Sequence, residues 1–308
     1  MQTVLSFLPK KIACFFQDMP PKKWNTIEEI RCRIGRPVEI SSGTAYELLP
    51  VIATEEDAAQ LVNNITNFSM YTMEEELKRG YITIQGGHRV GIAGKVILDQ
   101  GNVKAIIHIA SLNIRIAKEQ IGCAEQLIPY LYNDGWHNTM IIGPPQTGKT
   151  TLLRDLTRIM STGHNEKQLP AMKVGVVDER SEITGCVNGV PQLHFGPRID
   201  ILDACPKAEG MMMLIRSMSP QIIVADEIGR SEDSAAVLEA VHAGIHLAIT
   251  VHGYSYSDVM KRPTINEILG LRIFTRFIIL SRSGNRGFCY SIMDETGQEV
   301  SQKRGVLW

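Results

Sequence analysis

Apolar and polar positions follow two different rhythms along this chain, and the change falls near residue 119. In the first part, TEEDAAQLVNNIT (54–66) carries apolar residues at helical spacing, with Thr54 placed as an N-cap and Asp57 at the capping-box position. Residues 24–33 read as a second short helix. The stretches YITIQ, HRVGIAGKVIL and VKAIIHIASLNIRIA then alternate with a period of two. Gly86-Gly87 and Asp99-Gln100-Gly101-Asn102 separate them, which predicts an antiparallel meander joined by tight turns. GGHRVG resembles a phosphate loop in its glycines, but no strand precedes it and no helix follows, so it reads as a hairpin turn.

Residues 119–136 form a junction with a short amphipathic helix (Ala124, Leu127, Ile128, Leu131), interrupted at Pro129 and closed by Asp134-Gly135. From residue 137 strands and helices alternate. TMII, KVGVVDE, QIIVADE and IHLAITVH read as strands; KTTLLRDLTRIM, PKAEGMMMLIRSM and SEDSAAVLEAVHA read as helices. Short continuous apolar strands between amphipathic helices predict an α/β unit whose mainly parallel sheet is covered on both faces. MMMLIRSM (211–218) sits at helical spacing beside a strand and reads as core, although methionines also suit adaptable binding faces. After residue 273 hairpin chemistry returns, with Gly284-Asn285 and Thr296-Gly297 as turns. The expected organisation is a smaller α+β N-terminal domain (1–118), the junction (119–136) and an α/β domain (137–308).

At 308 residues the chain is long enough to bury two cores. Its 44% apolar and 21% charged residues describe a globular protein. A formal net charge of -1 offers no basic excess to a nucleic acid, and 6% aromatic residues offer few stacking platforms. The six cysteines are scattered without a C-x-x-C pair, which favours reduced thiols over a zinc site or a disulfide frame. The lysines near the start follow the apolar run and no small-residue cleavage site is evident, so no targeting peptide is expected. No run approaches the ~18 uncharged apolar residues of a membrane helix; IFTRFIIL is broken by Arg276. The expectation is a soluble chain whose membrane contact, if any, is peripheral.

Gly143-Pro144-Pro145-Gln146-Thr147-Gly148-Lys149-Thr150 fits G-x-x-x-x-G-K-[ST] at every fixed position, with a predicted strand before it and a helix after it. The spacing follows from the phosphate. Two glycines let the main chain curl so that successive N–H groups point inward as an anion nest, and the helix start adds positive potential. Lys149 is expected on the β- and γ-phosphates, the Thr150 hydroxyl on Mg²⁺, and Thr151 beside them in the nucleotide-binding set. QIIVADE places Asp226 as the metal-shell carboxylate and Glu227 to orient or deprotonate the attacking water. An extra strand, KVGVVDE, lies between the two motifs in the sequence, which is the arrangement of RecA-like motor ATPases; no N-K-x-D guanine-reading segment occurs, so ATP is favoured. Glu179 competes with Glu227 as the base. His252, in TVHG at a strand end, faces the same sheet edge, where ligands of open parallel sheets sit.

A P-loop, VVDERSEI, VADEIGRSED and a T-x-H-G strand end, in this order, resemble the secretion-ATPase superfamily of hexameric motors, with its Walker A, Asp box, Walker B and His box. EEIRCRIGRPVEI, GGHRVGIAGKV, SLNIRIA, GPPQTGKTTLLRD, LDACPKAEGMMMLIRSMSP and ADEIGRSED resemble more closely the stage III sporulation protein AA family of endospore-forming bacteria. The resemblance spans nearly the whole chain. It implies a RecA-like P-loop core, ATP and Mg²⁺ as ligands, a homo-hexamer, and a place at the inner face of a membrane on the mother-cell side. The implied partners are the membrane proteins of a channel between mother cell and forespore. Lys149, Thr150, Glu179, Glu227 and His252 fall on motif positions. Many secretion ATPases have Gly where Asp226 stands, so three acids share the work here. Arg115, in SLNIRIA, lies in a segment like those whose arginines complete the site; Arg89, Arg198 and Arg230 are further candidates. The competing reading is a RecA-like ATPase on single-stranded nucleic acid, which the charge balance disfavours; a third is a subunit that binds nucleotide without hydrolysing it.

Overall fold

The computed structural model describes residues 2–17, 19–43, 45–66, 76, 78, 80–164, 168–283, 287–300 and 305–307. The chain divides into two compact units, Met1–Lys118 with Gly185–Gln192, and Glu119–Thr184 with Leu193–Trp308.

The first unit is a six-stranded antiparallel sheet with helices. Its strands are β1 (Glu29–Arg33), β2 (Pro37–Ser42), β3 (Ala45–Ile52), β4 (Tyr81–Ile84), β5 (His88–Asp99) and β6 (Asn102–Arg115), in the order β3-β2-β1-β6-β5-β4. The meander β4-β5-β6 appears as the alternation predicts, and Gly86-Gly87 is a hairpin turn and not a phosphate loop. Thr54 and Asp57 cap the helix Glu55–Thr66 reciprocally. The Thr54 amide and hydroxyl each donate to Asp57 Oδ2 at 2.8 Å, and the Asp57 amide donates back to Thr54 Oγ1 at 3.2 Å. The helix expected over 24–33 is corrected: a helix covers Pro21–Thr26 and Glu29–Arg33 is β1. Ile30 and Cys32 are buried while Glu29, Arg31 and Arg33 alternate with them, so the two-residue period wins. Val4, Ile12, Phe16, Trp24, Leu61 and Ile114 belong to the core beneath.

The second unit carries β7 (Thr139–Gly143), β8 (Val174–Asp178), β9 (Ile199–Asp203), β10 (Ile222–Ala225), β11 (His246–His252), β12 (Arg276–Ser283), β13 (Gly287–Asp294) and β14 (Gly305–Val306). Their order is β14-β13-β12-β7-β11-β10-β8-β9; the run from β12 to β9 is parallel, and β13 and β14 return antiparallel. Side chains alternate between two cores. Ile141, Val176, Val224 and Ala248 pack on one face, with Leu152 and Leu156 of the helix Lys149–Thr162. Met140, Ile142, Ile223 and Ile249 pack on the other, with Met211 and Leu214 of the helix Lys207–Ser217 and Val237 of the helix Ser231–His242. Both faces are therefore closed, as the continuous apolar strands require. The methionine run is core only in part: Met211 is buried, whereas Met213 and Met218 are exposed. The junction contributes Leu127, Ile128 and Leu131 to the first of these cores through the short helices Glu125–Leu127 and Ile128–Leu131. Of the two turns expected in the tail, Thr296-Gly297 follows β13, while Gly284-Asn285 lies outside the described residues. All six cysteines are free thiols. Among the described residues no helix is long and apolar enough to cross a membrane.

Candidate nucleotide site

Parallel strands end on a common edge, and the register decides which ends meet. Gly143 lies opposite His252, and Ala225 is flanked by Ile249 and Val177. The P-loop, the His252 strand end and the two acidic turns therefore gather along one edge of one sheet. The P-loop strand does not touch the strand of Asp226; β11 lies between them.

The loop after β7 is closely wound. The Thr147 hydroxyl donates to the Pro144 carbonyl at 2.7 Å, and Lys149 Nζ donates to the same oxygen at 3.0 Å. A Cβ on Gly143 would lie 2.5 Å from Thr147 Oγ1, and Gly148 caps the following helix at φ 83°, a region that favours glycine. Pro145 and Gln146 complete the turn, Gln146 at φ 61°. Lys149, Thr150 and Thr151 open the helix. Lys149 is almost wholly buried; burial pulls its pKa below the ordinary lysine value, and the carboxylates of Asp226 and Glu227 partly restore it. A buried ammonium beside a wound main chain at a helix start fits a polyphosphate anion.

Asp226 joins three elements. Its Oδ2 accepts the Thr150 hydroxyl at 2.7 Å, and its Oδ1 accepts the Thr250 hydroxyl. Among the described residues no group of three or more His, Cys, Asp or Glu side chains gathers as a metal cage. That donor set suits magnesium held jointly with phosphate oxygens, through Thr150 with Asp226 behind it. Glu227 follows at φ 53°, a left-handed conformation uncommon outside glycine, and pairs with Arg180 at 2.8 Å, where both side chains are exposed.

The neighbouring turn is built differently. Asp178 is buried and accepts the amides of Glu182, Ile183 and Thr184 at 2.9, 3.0 and 2.8 Å and the Thr184 hydroxyl at 2.8 Å. Arg154 of the P-loop helix braces the same loop from the other side, donating to the carbonyls of Ile183 and Glu182 at 2.7 and 2.6 Å. Glu179 is ion-paired with the nearly buried Lys207. Burial opposes its ionisation, but the hydrogen bond and charge of Lys207, with Arg230 and Arg180 behind, outweigh burial and hold its pKa below the ordinary carboxylate value. Lys207, Arg180, Thr250 and Arg154 are absent from the sequence-based set. All four lie within the quoted blocks, Thr250 in TVHG, Arg180 in VVDERSEI, Arg154 in GPPQTGKTTLLRD and Lys207 in LDACPKAEG, but no local spacing says which partner each meets.

His252 ends β11 with its Nδ1 3.4 Å from Arg262 Nη2, and its ring meets Tyr254 edge-on. Of the candidate arginines, Arg115 ends β6 in the first unit and pairs with Glu29 at 3.2 Å. Arg89 stacks 3.5 Å over the Tyr81 ring, Arg198 donates to the Ala171 carbonyl, and Arg230 precedes the helix Ser231–His242.

The chain matches the family Sporulation stage III, protein AA over residues 2–300, and it belongs to that family. It is 52% identical over 306 residues to the stage III sporulation protein AA of Bacillus subtilis (strain 168), an alignment covering 99% of each chain. Among solved structures, the ATPase DotB of Yersinia pseudotuberculosis superposes with a TM-score of 0.62 at 14% identity, over 94% of this chain and 81% of that one. The pilus retraction motor PilT, solved with bound ADP, gives 0.59 at 13% identity over 87% and 79%. At such identities the likeness is one of fold: an α/β core with a mainly parallel sheet.

Proposed function

We propose that this member of the stage III sporulation protein AA family is a magnesium-dependent ATPase that works as a ring of identical subunits on the membrane proteins of a secretion-like channel, on the mother-cell side of the forespore boundary. One observation carries the chemical part: the 2.7 Å hydrogen bond from Thr150 to Asp226, which ties the phosphate loop to the acidic turn across the sheet edge. A chance P-loop match would have no reason to meet a carboxylate from a strand two places away in the sheet.

Lys149 and the main-chain N–H groups of Gln146, Thr147 and Gly148 would bind the phosphates, since Pro144 and Pro145 carry no N–H, and Thr150 with Asp226 would hold the metal. Bound magnesium supplies charge neutralisation as the terminal phosphoryl group transfers to water. Glu227, next to the metal-shell acid and with an exposed partner in Arg180, takes the water's proton. Glu179, held ionised by Lys207, serves to orient the water. His252 stands at the strand end to bond the phosphoryl oxygens or the water. Arg115 acts on a neighbouring subunit's nucleotide.

Purified protein should hydrolyse ATP only with magnesium. Lys149→Ala, which removes the phosphate-binding charge, should lower turnover by about a thousandfold or more. Turnover equal to that of the unmodified protein would show that hydrolysis, if present, happens elsewhere. Mass in solution with ATP reads the ring directly.

A further inference from the structure

The strand β11 reads Leu247, Ala248, Ile249, Thr250, Val251, and every one of these side chains is buried. Valine would fill the place of Thr250 with the same shape and no polar atom. A hydroxyl there is unfavourable unless it is bonded, so its partners show what it is for. Thr250 Oγ1 donates to Asp226 Oδ1 and accepts the amide of Glu227 at 2.8 Å. The carbonyl of the same residue accepts the amide of Ile228 at 2.9 Å. One residue of β11 thus takes hold of three consecutive residues of the turn after β10, at the point where Glu227 enters a left-handed conformation. Two of those three bonds run through the hydroxyl, and the third does not.

We propose that Thr250 is a positioning residue for this site: its hydroxyl fixes the Asp226 carboxylate toward Thr150 and pins the turn that aims Glu227. The inference rests on the nucleotide reading above and adds a specific division of labour to it. With its Oδ1 held by Thr250, Asp226 presents Oδ2 to the Thr150 hydroxyl. Without that hold the carboxylate is free to rotate, and the Glu227 amide loses its acceptor. Phosphate binding by the loop uses other atoms and is untouched.

The test separates these effects by using magnesium as a variable. Binding of a fluorescent, non-hydrolysed ATP analogue is measured with and without Mg²⁺ for the full chain and for Thr250→Val, alongside hydrolysis. The expected result for the valine variant is metal-free binding within about twofold of the parent, a loss of about tenfold or more in the affinity gained on adding Mg²⁺, and turnover lower by a similar or larger factor. Thr250→Ser, which keeps the hydroxyl, should restore most of both. Faster hydrogen exchange at the Glu227 amide in the valine variant reports the lost acceptor without reference to activity. Magnesium coupling and turnover unchanged in Thr250→Val would overturn the proposal. So would an equal loss of binding with and without metal, which would mark a packing role. If Thr250→Val fails to fold, Thr250→Ser and Thr250→Ala differ by the hydroxyl alone and carry the same comparison. A parent protein that neither binds nor hydrolyses ATP would instead defeat the nucleotide reading.

Discussion

Two strand ends in the second unit carry the same dipeptide, Asp-Glu, and put it to different uses. At Asp178-Glu179 the aspartate is buried under three amides and a hydroxyl of its own loop, and the glutamate is locked to a nearly buried lysine. At Asp226-Glu227 the aspartate takes hydroxyls from two other elements, and the glutamate turns outward to an exposed arginine. Asp178 is consumed by its own loop, and Glu179 is held by its lysine. The second pair is poised at the P-loop with little else to hold. The difference shows that an acidic strand end is not a functional unit in itself; its partners decide whether its charge builds structure or remains available to a ligand.

The contrast is sharpest if the two aspartates are changed alike. Asp226→Asn should lower ATP turnover by about a hundredfold or more while leaving thermal stability within about 1 kcal/mol, because its partners are hydroxyls that an amide also satisfies. Asp178→Asn should do the opposite. It puts an N–H₂ group against backbone amides and should cost about 2–3 kcal/mol, read as a lower midpoint in urea. Matching symptoms in the two variants would erase the distinction.

The cations give the next comparison. Lys207→Met leaves Glu179 partly buried without its partner and should destabilise by about 1–3 kcal/mol at neutral pH. Arg180→Ala breaks an exposed pair and should change stability by less than about 1 kcal/mol. The Glu179 pairing also has a pH signature. Because its folded pKa lies below the ordinary 4.5, it contributes stability above that value, and the contribution is lost as pH falls through the depressed one. The stability difference between the parent and Lys207→Met should therefore be largest near neutrality and shrink in acid, with Arg180 and Arg230 limiting how far. A difference independent of pH would remove Glu179 from the account.

Strands β7, β8, β10 and β11 are legible because each is a short, unbroken apolar run; β9, Ile199–Asp203, is not, since it lies at the sheet edge and its residues are only partly buried, and the parallel pairing of β12 with β7 is not legible in a tail that reads as hairpin. Glu29–Arg33 alternates charged with buried apolar residues as a strand does, but the run is only five residues long and follows directly on a helical segment, which masks the change of period. Thr54 and Asp57 were legible because a cap is a contact between residues close in sequence.

The sequence by itself determined the phosphate loop, the acidic strand ends and the family, since these are matters of residue type at fixed local spacing. Only the tertiary structure decided which acid is spent on its own loop and which meets Thr150, and which partners Thr250, Lys207, Arg154 and Arg180 take. Those pairings join residues far apart in the chain, and they depend on strand order and register, which local patterns of polarity do not encode. Hydrogen bonds act over about 3 Å, so which of two like acids serves the site is settled only when the sheet sets their ends side by side.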